Sequence, residues 1–363
     1  MSDGMGLLEA AFMGFVQGMT EFLPISSTAH IRIVGGLSNT PEPGAAFTAI
    51  IQIGTGLAVL LYFRRDLVQI IVAWWRALCG VHGKGWRARV GLTGPDETAT
   101  ADLVDTVPTT GSFQPTQTTQ GSAQSTYGSA SHSALMGWFI IIGTIPVVVL
   151  GLAFSDHIET TLRNLWVIVA TLVVFGLLLG WADRTRPQNH QLDKLTWRHA
   201  LWFGLFQALA LIPGVSRSGA TITGGRLMGY TREAAARYAF LLALPAIFGS
   251  GLYELAKVVI KGEPEDSAVV VPGAAAIVVA TVVSFVVGYI VIIGFLKIVS
   301  TYSYMPFVYY RLGLAAVVAV LIVTGVVPAS DTASADSHTQ TVTTVVSAQC
   351  DPPTSSLQAE CGK

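Results

Sequence analysis

Charge is scarce in this chain. Only 12% of its 363 residues are Asp, Glu, Lys or Arg, while 52% are hydrophobic. Soluble domains carry roughly 25% charge, so this balance excludes an ordinary water-soluble domain and points to an integral membrane protein. A basic excess is also missing. Lys and Arg number 21 against 22 Asp and Glu, a net charge of −1 that leaves no electrostatic footprint for nucleic acid. Cysteine is limited to Cys79, Cys350 and Cys361, with no C-x-x-C or Cys/His spacing to hold zinc. Cys350 and Cys361 either pair with each other or are unrelated thiols; the sequence leaves both open. The opening "MSDGMGLLEAAFMG" has no positive run, so no cleaved signal peptide is expected.

Long apolar runs are plentiful. A spanning helix needs about 20 apolar residues, and six stretches qualify: roughly 46–63, 135–154, 163–183, 236–259, 273–297 and 306–326. Two further segments, 7–35 and 199–229, are apolar but broken by Pro and small polar residues. Between the first two spans lies a polar loop. Its first part, 64–89, is basic; its second part, about 93–133, is rich in Thr, Ser, Gln and Gly and reads as a disordered insertion. The tail from 329 to 363 reads the same way.

Lysine and arginine bias orients the spans. The 64–89 loop and "DRTRPQNHQLDKLTWR" are basic and are expected in the cytoplasm; the acidic turns "SDHIET" and "KGEPEDS" are expected outside. The two broken segments must then enter and leave on one side each, the first from outside and the second from the cytoplasm. They also resemble each other. "GFVQGMTEFLPISSTAH" aligns with "GLFQALALIPGVSRSGA" with one gap, Gln17 over Gln207 and Pro24 over Pro213. The expected fold is therefore an all-α polytopic membrane protein, with six transmembrane helices and two re-entrant helical hairpins in an inverted-topology repeat. Repeat 1 runs from about 5 to 184 and repeat 2 from about 198 to 327, in a single membrane domain of residues 1–327. Such repeats place the working site near the midplane, where the broken helices meet.

The hairpin tips carry the reactive side chains. Gln17 and Glu21 are i, i+4 and share a helix face. Pro24 breaks that helix, Ser26, Ser27 and Thr28 follow at the tip, and His30 lies three residues beyond Ser27. A carboxylate, a hydroxyl and an imidazole near one point are the set needed for nucleophilic attack with proton transfer. The second tip, "PGVSRSGAT", offers the hydroxyls of Ser216, Ser218 and Thr221 and a guanidinium, Arg217, within an apolar stretch. An arginine at membrane depth is costly and marks function, and its forked donors match phosphate oxygens. Plainer roles stand beside these: Glu21 and Arg217 as a structural ion pair, the serines as helix caps, His30 as a packing residue, and Gln17 as a partner for freed backbone. The Trp74–Trp75 pair reads as an interfacial anchor, and His157, His190 and His199 as solvated span ends.

At these residues the chain resembles the undecaprenyl-diphosphate phosphatase family of the bacitracin-resistance type. The motifs are "QGMTEFLPISSTAH" and "PGVSRSGAT", and the likeness extends over about 5–327 without the insertion. The resemblance implies hydrolysis of a polyprenyl diphosphate lipid to the monophosphate, which recycles the carrier for cell-wall synthesis and confers bacitracin resistance. It implies catalytic roles for Glu21, Ser27, His30 and Arg217, with Gln17, Ser26, Thr28, Ser216, Ser218 and Thr221 around the substrate. It also implies a divalent cation, Mg²⁺ or Ca²⁺, held by Glu21 and Gln17, and an active site facing outside a plasma membrane. Position 17 is Gln where many members carry Glu, so a scheme requiring two carboxylates is not expected here. The partners are the lipid substrate and membrane lipids; a homodimer stays open.

The rival function is a lipid-carrier transporter or flippase of the same inverted-repeat architecture. A pure carrier has no need of a Ser/His/Glu set. The type-2 phosphatidic-acid phosphatases need a histidine some six residues after Ser-Arg, and "SRSGATITGG" has none. An intramembrane serine protease would need a G-x-S-x-G or Ser/Lys arrangement that Ser26 and Ser27 lack.

Overall fold

The computed structural model describes residues 5–37, 45–80, 130–154, 164–261 and 273–327. The expectations for residues 93–129, for the tail with Cys350 and Cys361, for His157 and for the two acidic turns fall outside them. Eleven α-helices make up the described chain. They are α1 Leu7–Thr20, α2 Ser27–Leu37, α3 Ala45–Tyr62, α4 Arg64–Leu78, α5 Ala130–Ala153, α6 Leu165–Thr185, α7 Trp197–Ala208, α8 Arg217–Leu227, α9 Arg232–Lys261, α10 Ala274–Thr301 and α11 Met305–Val323. No strand is found among the described residues, only a single bridge between His190 and Tyr230.

Five of these helices, α5, α6, α9, α10 and α11, are long and apolar enough to cross a membrane. A sixth crossing is reached by counting α3 with α4 across their 78° bend. The six expected spans therefore all fall on helices. Two boundaries differ. Helix α5 starts at Ala130, inside the segment expected to be part of the polar insertion. Residues 64–78, read from their arginines as loop, form α4. The apolar positions Leu67, Ile70, Ile71 and Trp74 recur at helical spacing and line a shared apolar surface with α5 and α9. Val68, Ile71 and Trp75 remain exposed on α4, as they would be on a helix lying in a membrane interface. Trp74 meets Trp138 of α5 edge to face at 5.6 Å.

The two broken segments are hairpins. Helix α1 ends at Thr20, the chain turns through residues 21–25, and α2 leads away; α7, a 3₁₀ turn at Leu209–Leu211 and α8 repeat the pattern. Each leading helix packs closely on a span, α1 on α10 and α7 on α5. A Cβ at Gly14 would collide with the Ala280 carbonyl, and a Cβ at Gly204 with that of Gly143. Only glycine permits either approach.

Loops expected on one face of the membrane do touch. Asp66 of α4 lies 4.0 Å from Arg237 of α9, His132 bonds the Leu192 carbonyl at 2.8 Å, and the Tyr304 hydroxyl donates to the Arg232 carbonyl at 2.9 Å. At this face buried Asp183 accepts from Arg226 at 3.1 Å, from Arg232 at 2.7 and 3.1 Å and from the Tyr304 amide at 3.0 Å, joining α6, α8, α9 and α11. His190 and His199 are half-buried here rather than solvated: His190 faces the Met228 carbonyl at 3.0 Å and His199 the Tyr230 hydroxyl at 2.7 Å.

Between the faces, the side chain of Arg311 from α11 is fully buried and faces only carbonyls. Its Nε donates to Leu172 at 3.3 Å. Nη1 donates to Pro24 at 3.3 Å and Val215 at 3.2 Å, and Nη2 to Thr171, Gly214 and Val215 at 3.2 Å each. It thereby ties both hairpin turns to α6. Arg311→Leu is expected to lower stability by at least about 3 kcal/mol, because an orphaned buried acceptor costs roughly 1–3 kcal/mol and several are orphaned at once. Arg311→Lys should recover only part of the loss. Thermal unfolding in detergent, read by size exclusion, tests this; a Leu variant that melts with the native protein would refute it.

Candidate active site

The turns of the two hairpins are built alike. Ser26 has φ 73° and Ser216 φ 71°, the two non-glycine residues with positive φ among those described. Residues held in this region cost of order 1–3 kcal/mol and gather at functional sites. Each serine then caps the helix it starts, Ser26 Oγ accepting from the Ala29 amide at 3.4 Å and Ser216 Oγ from the Gly219 amide at 3.2 Å. Gln17 and Gln207, both fully buried, stand at the same spacing, as do Gly14 and Gly204. This matching register has no gap. It sets Leu23 rather than Pro24 against Pro213, and it sets Ser27 of one tip against Arg217 of the other.

The tips are in contact. Ser218 Oγ donates toward the carbonyls of Glu21 at 3.2 Å and Leu23 at 3.0 Å. Around this junction the buried Glu21 carboxylate accepts from Gln17 Nε2 at 2.8 Å and from Ser27 Oγ at 2.7 Å through the same oxygen, Oε2. Gln17, Glu21 and Ser27 thus form one chain of hydrogen bonds. Gln17 Oε1 is buried beside them with no partner.

Arg217 does not pair with Glu21 among the described residues. Its Nη2 donates to Gln52 Oε1 of α3 at 3.0 Å, and its Nη1 is buried without a partner. A guanidinium held at one nitrogen and free at the next is available to an anion. His30 sits apart from Ser27 and Glu21 in its hydrogen bonds. Its Nδ1 faces the Ser26 carbonyl at 2.7 Å and its Nε2 the Tyr310 hydroxyl at 2.7 Å. A carbonyl can only accept, so Nδ1 carries the hydrogen and Nε2 presents its lone pair.

The remaining hydroxyls are engaged within the fold. Thr221 Oγ1 donates to the Arg217 carbonyl at 2.8 Å, Ser216 Oγ lies 3.2 Å from Ser218 Oγ, and Thr28 is exposed at the tip. Among the described residues no three His, Cys, Asp or Glu side chains cluster as a metal site. The donors that could serve a hard cation are oxygens: the Glu21 carboxylate and the orphaned Gln17 Oε1. Sequence reasoning missed Gln52, Tyr310 and Arg311. Arg311, a lone charge in the apolar run of α11, answers to the same argument that singled out Arg217. Gln52 and Tyr310 carry no local signal; both act across long stretches of chain.

Comparison with known proteins bears on this arrangement. The family model described as "Bacitracin resistance protein BacA" matches residues 10–317. A relative from Bifidobacterium adolescentis is 49% identical over 331 residues, covering 91% of this chain and 100% of its own length; it is named an undecaprenyl-diphosphatase. The relative of the same name from Bifidobacterium longum subsp. infantis is 51% identical over 327 residues, covering 90% of this chain and 98% of its own length. One from Pseudarthrobacter chlorophenolicus, again so named, is 47% identical over 333 residues, covering 90% and 100%.

Proposed function

This chain belongs to the bacitracin resistance protein family, and from that premise we propose that its two hairpin tips hydrolyse undecaprenyl diphosphate to the monophosphate and inorganic phosphate. It is a multi-pass membrane hydrolase, and the reaction returns the lipid carrier to cell-wall synthesis. The observation that carries the assignment of roles is the 2.7 Å hydrogen bond from Ser27 to Glu21. It pairs a hydroxyl with a base able to take its proton. Ser27 Oγ attacks the terminal phosphorus. The new O–P bond forms as the bond to the bridging oxygen breaks, and undecaprenyl monophosphate leaves. Glu21 takes the serine proton. Water then attacks the phosphoserine, its proton passing to His30 Nε2, and the Ser27 oxygen is released and reprotonated.

Arg217 supplies the electrostatic part. Its Nη1 is buried without a protein partner, so a phosphate oxygen arriving there meets an oriented donor. Gln52 keeps the other nitrogen occupied and so fixes which edge of the guanidinium is presented. The amides at the start of α8 also face an anion favourably. Ser216, Ser218, Ser26 and Thr221 serve the substrate by holding the turns in shape, and Thr28 lies at the rim.

The orphaned Gln17 Oε1 beside Glu21 fits a hard divalent cation, Mg²⁺ or Ca²⁺, which those two residues would hold. When bound, it neutralises charge on the phosphates. The matched turns and matched glycine contacts support an inverted-topology repeat, and the basic loops at the Asp183 face support an active site that opens to the outside.

Arg217→Ala is expected to cut phosphate release from the lipid diphosphate by at least about a hundredfold while the protein elutes and melts normally; near-native turnover would remove the clamp. Gln17→Glu should retain activity and shift the divalent-cation titration to lower concentration, and an unchanged titration would take position 17 away from the ion. For orientation, Thr28→Cys should react in intact cells with a membrane-impermeant thiol reagent and His190→Cys only after lysis. The reverse pattern would invert the topology.

A further inference from the structure

His30 is held from both sides, and the second hold is the unexpected one. The Ser26 carbonyl belongs to the same turn. The Tyr310 hydroxyl comes from α11, a helix that carries neither sequence motif. The two rings lie 7° from parallel with centroids 5.6 Å apart, so the contact is a defined stack as well as a hydrogen bond. Tyr310 is itself 47% exposed at the surface of the helix bundle. A residue that served packing alone would have little reason to place a hydroxyl 2.7 Å from the reactive nitrogen of a half-buried imidazole. Its neighbour Arg311 is fixed to the carbonyls of both turns, so the register of α11 against the hairpins, and with it the place of the Tyr310 hydroxyl, is set.

We infer that Tyr310 is a positioning residue for the phosphatase reaction, its hydroxyl holding His30 in the ring orientation and Nε2-acceptor form that proton transfer requires. The inference rests on the reading of His30 given above. Ser26 selects the tautomer, and Tyr310 selects the rotation of the ring by donating to the Nε2 lone pair. A donor that turns an imidazole toward its task is the familiar role of a partner placed behind a reacting histidine. Here it stands at the reacting nitrogen itself and yields to the attacking water during the second step. Phenylalanine keeps the ring stack and deletes only the hydroxyl, so Tyr310→Phe separates orientation from packing.

The test uses purified full-length protein in detergent with undecaprenyl diphosphate, comparing Tyr310→Phe, His30→Gln and the double variant. Tyr310→Phe should lower kcat about tenfold, the scale of one lost neutral hydrogen bond, with KM within about twofold and an unchanged melting temperature. The double variant should be no slower than His30→Gln alone, because Tyr310 acts only through the imidazole. The ¹⁵N resonance of His30 Nε2 should move in Tyr310→Phe without substrate. A native kcat in Tyr310→Phe, or a loss that multiplies with that of His30→Gln, would overturn the inference and leave the role of His30 standing. A native kcat in His30→Gln would overturn the reading of His30 itself, and Tyr310's role with it.

Discussion

Two helices that break inside a helix bundle leave buried carbonyls without a helical partner. Arg311 answers that constraint. One guanidinium collects the carbonyls of Pro24, Gly214, Val215, Thr171 and Leu172. The cost of burying a charge is offset by saturating its donors, which carbonyl oxygens do well. Arg311 thereby holds the two turns together, and the contacts of Ser218 with Glu21 and Leu23 join them directly.

Around the hub, most polar side chains of the turns bond within the fold. Ser26 and Ser216 cap their helices from strained backbone, Ser218 bridges the tips, and Thr221 bonds within α8. Ser27 and Arg217, at matching places of the two turns, are the ones whose chemistry differs. One tip offers an oxygen paired with a carboxylate and the other a cation with a free edge. The turns share their backbone form at Ser26 and Ser216 while the side chains around it differ.

Hydropathy made the six spans legible because lipid contact selects long apolar runs regardless of the partners they meet. The two hairpins were legible because Pro24 and Pro213 interrupt such runs, Gln17 and Glu21 because one helix turn brings them together, and Ser27 because it follows the break closely. What escaped was set by contacts far apart in sequence. Helix α4 was hidden by its arginines, since loop and interfacial helix share that composition. The alignment placed a gap where the backbone has none, because matching prolines outweighed matching conformations at Ser26 and Ser216. Gln52 and Tyr310 were invisible because nothing local distinguishes a lone amide or phenol on a spanning helix from a residue that fills space. Arg311 was visible in principle, and the charge rule applied to Arg217 would have found it.

The position of the hub in the chain has a consequence for biogenesis. Helix α11 is the last of the described helices to leave the ribosome, and it brings both the guanidinium that satisfies the turns and the phenol that steadies His30. Until then the two turns lack the donors that this guanidinium brings to their carbonyls. The turns therefore reach their final hydrogen bonding only once α11 is in place.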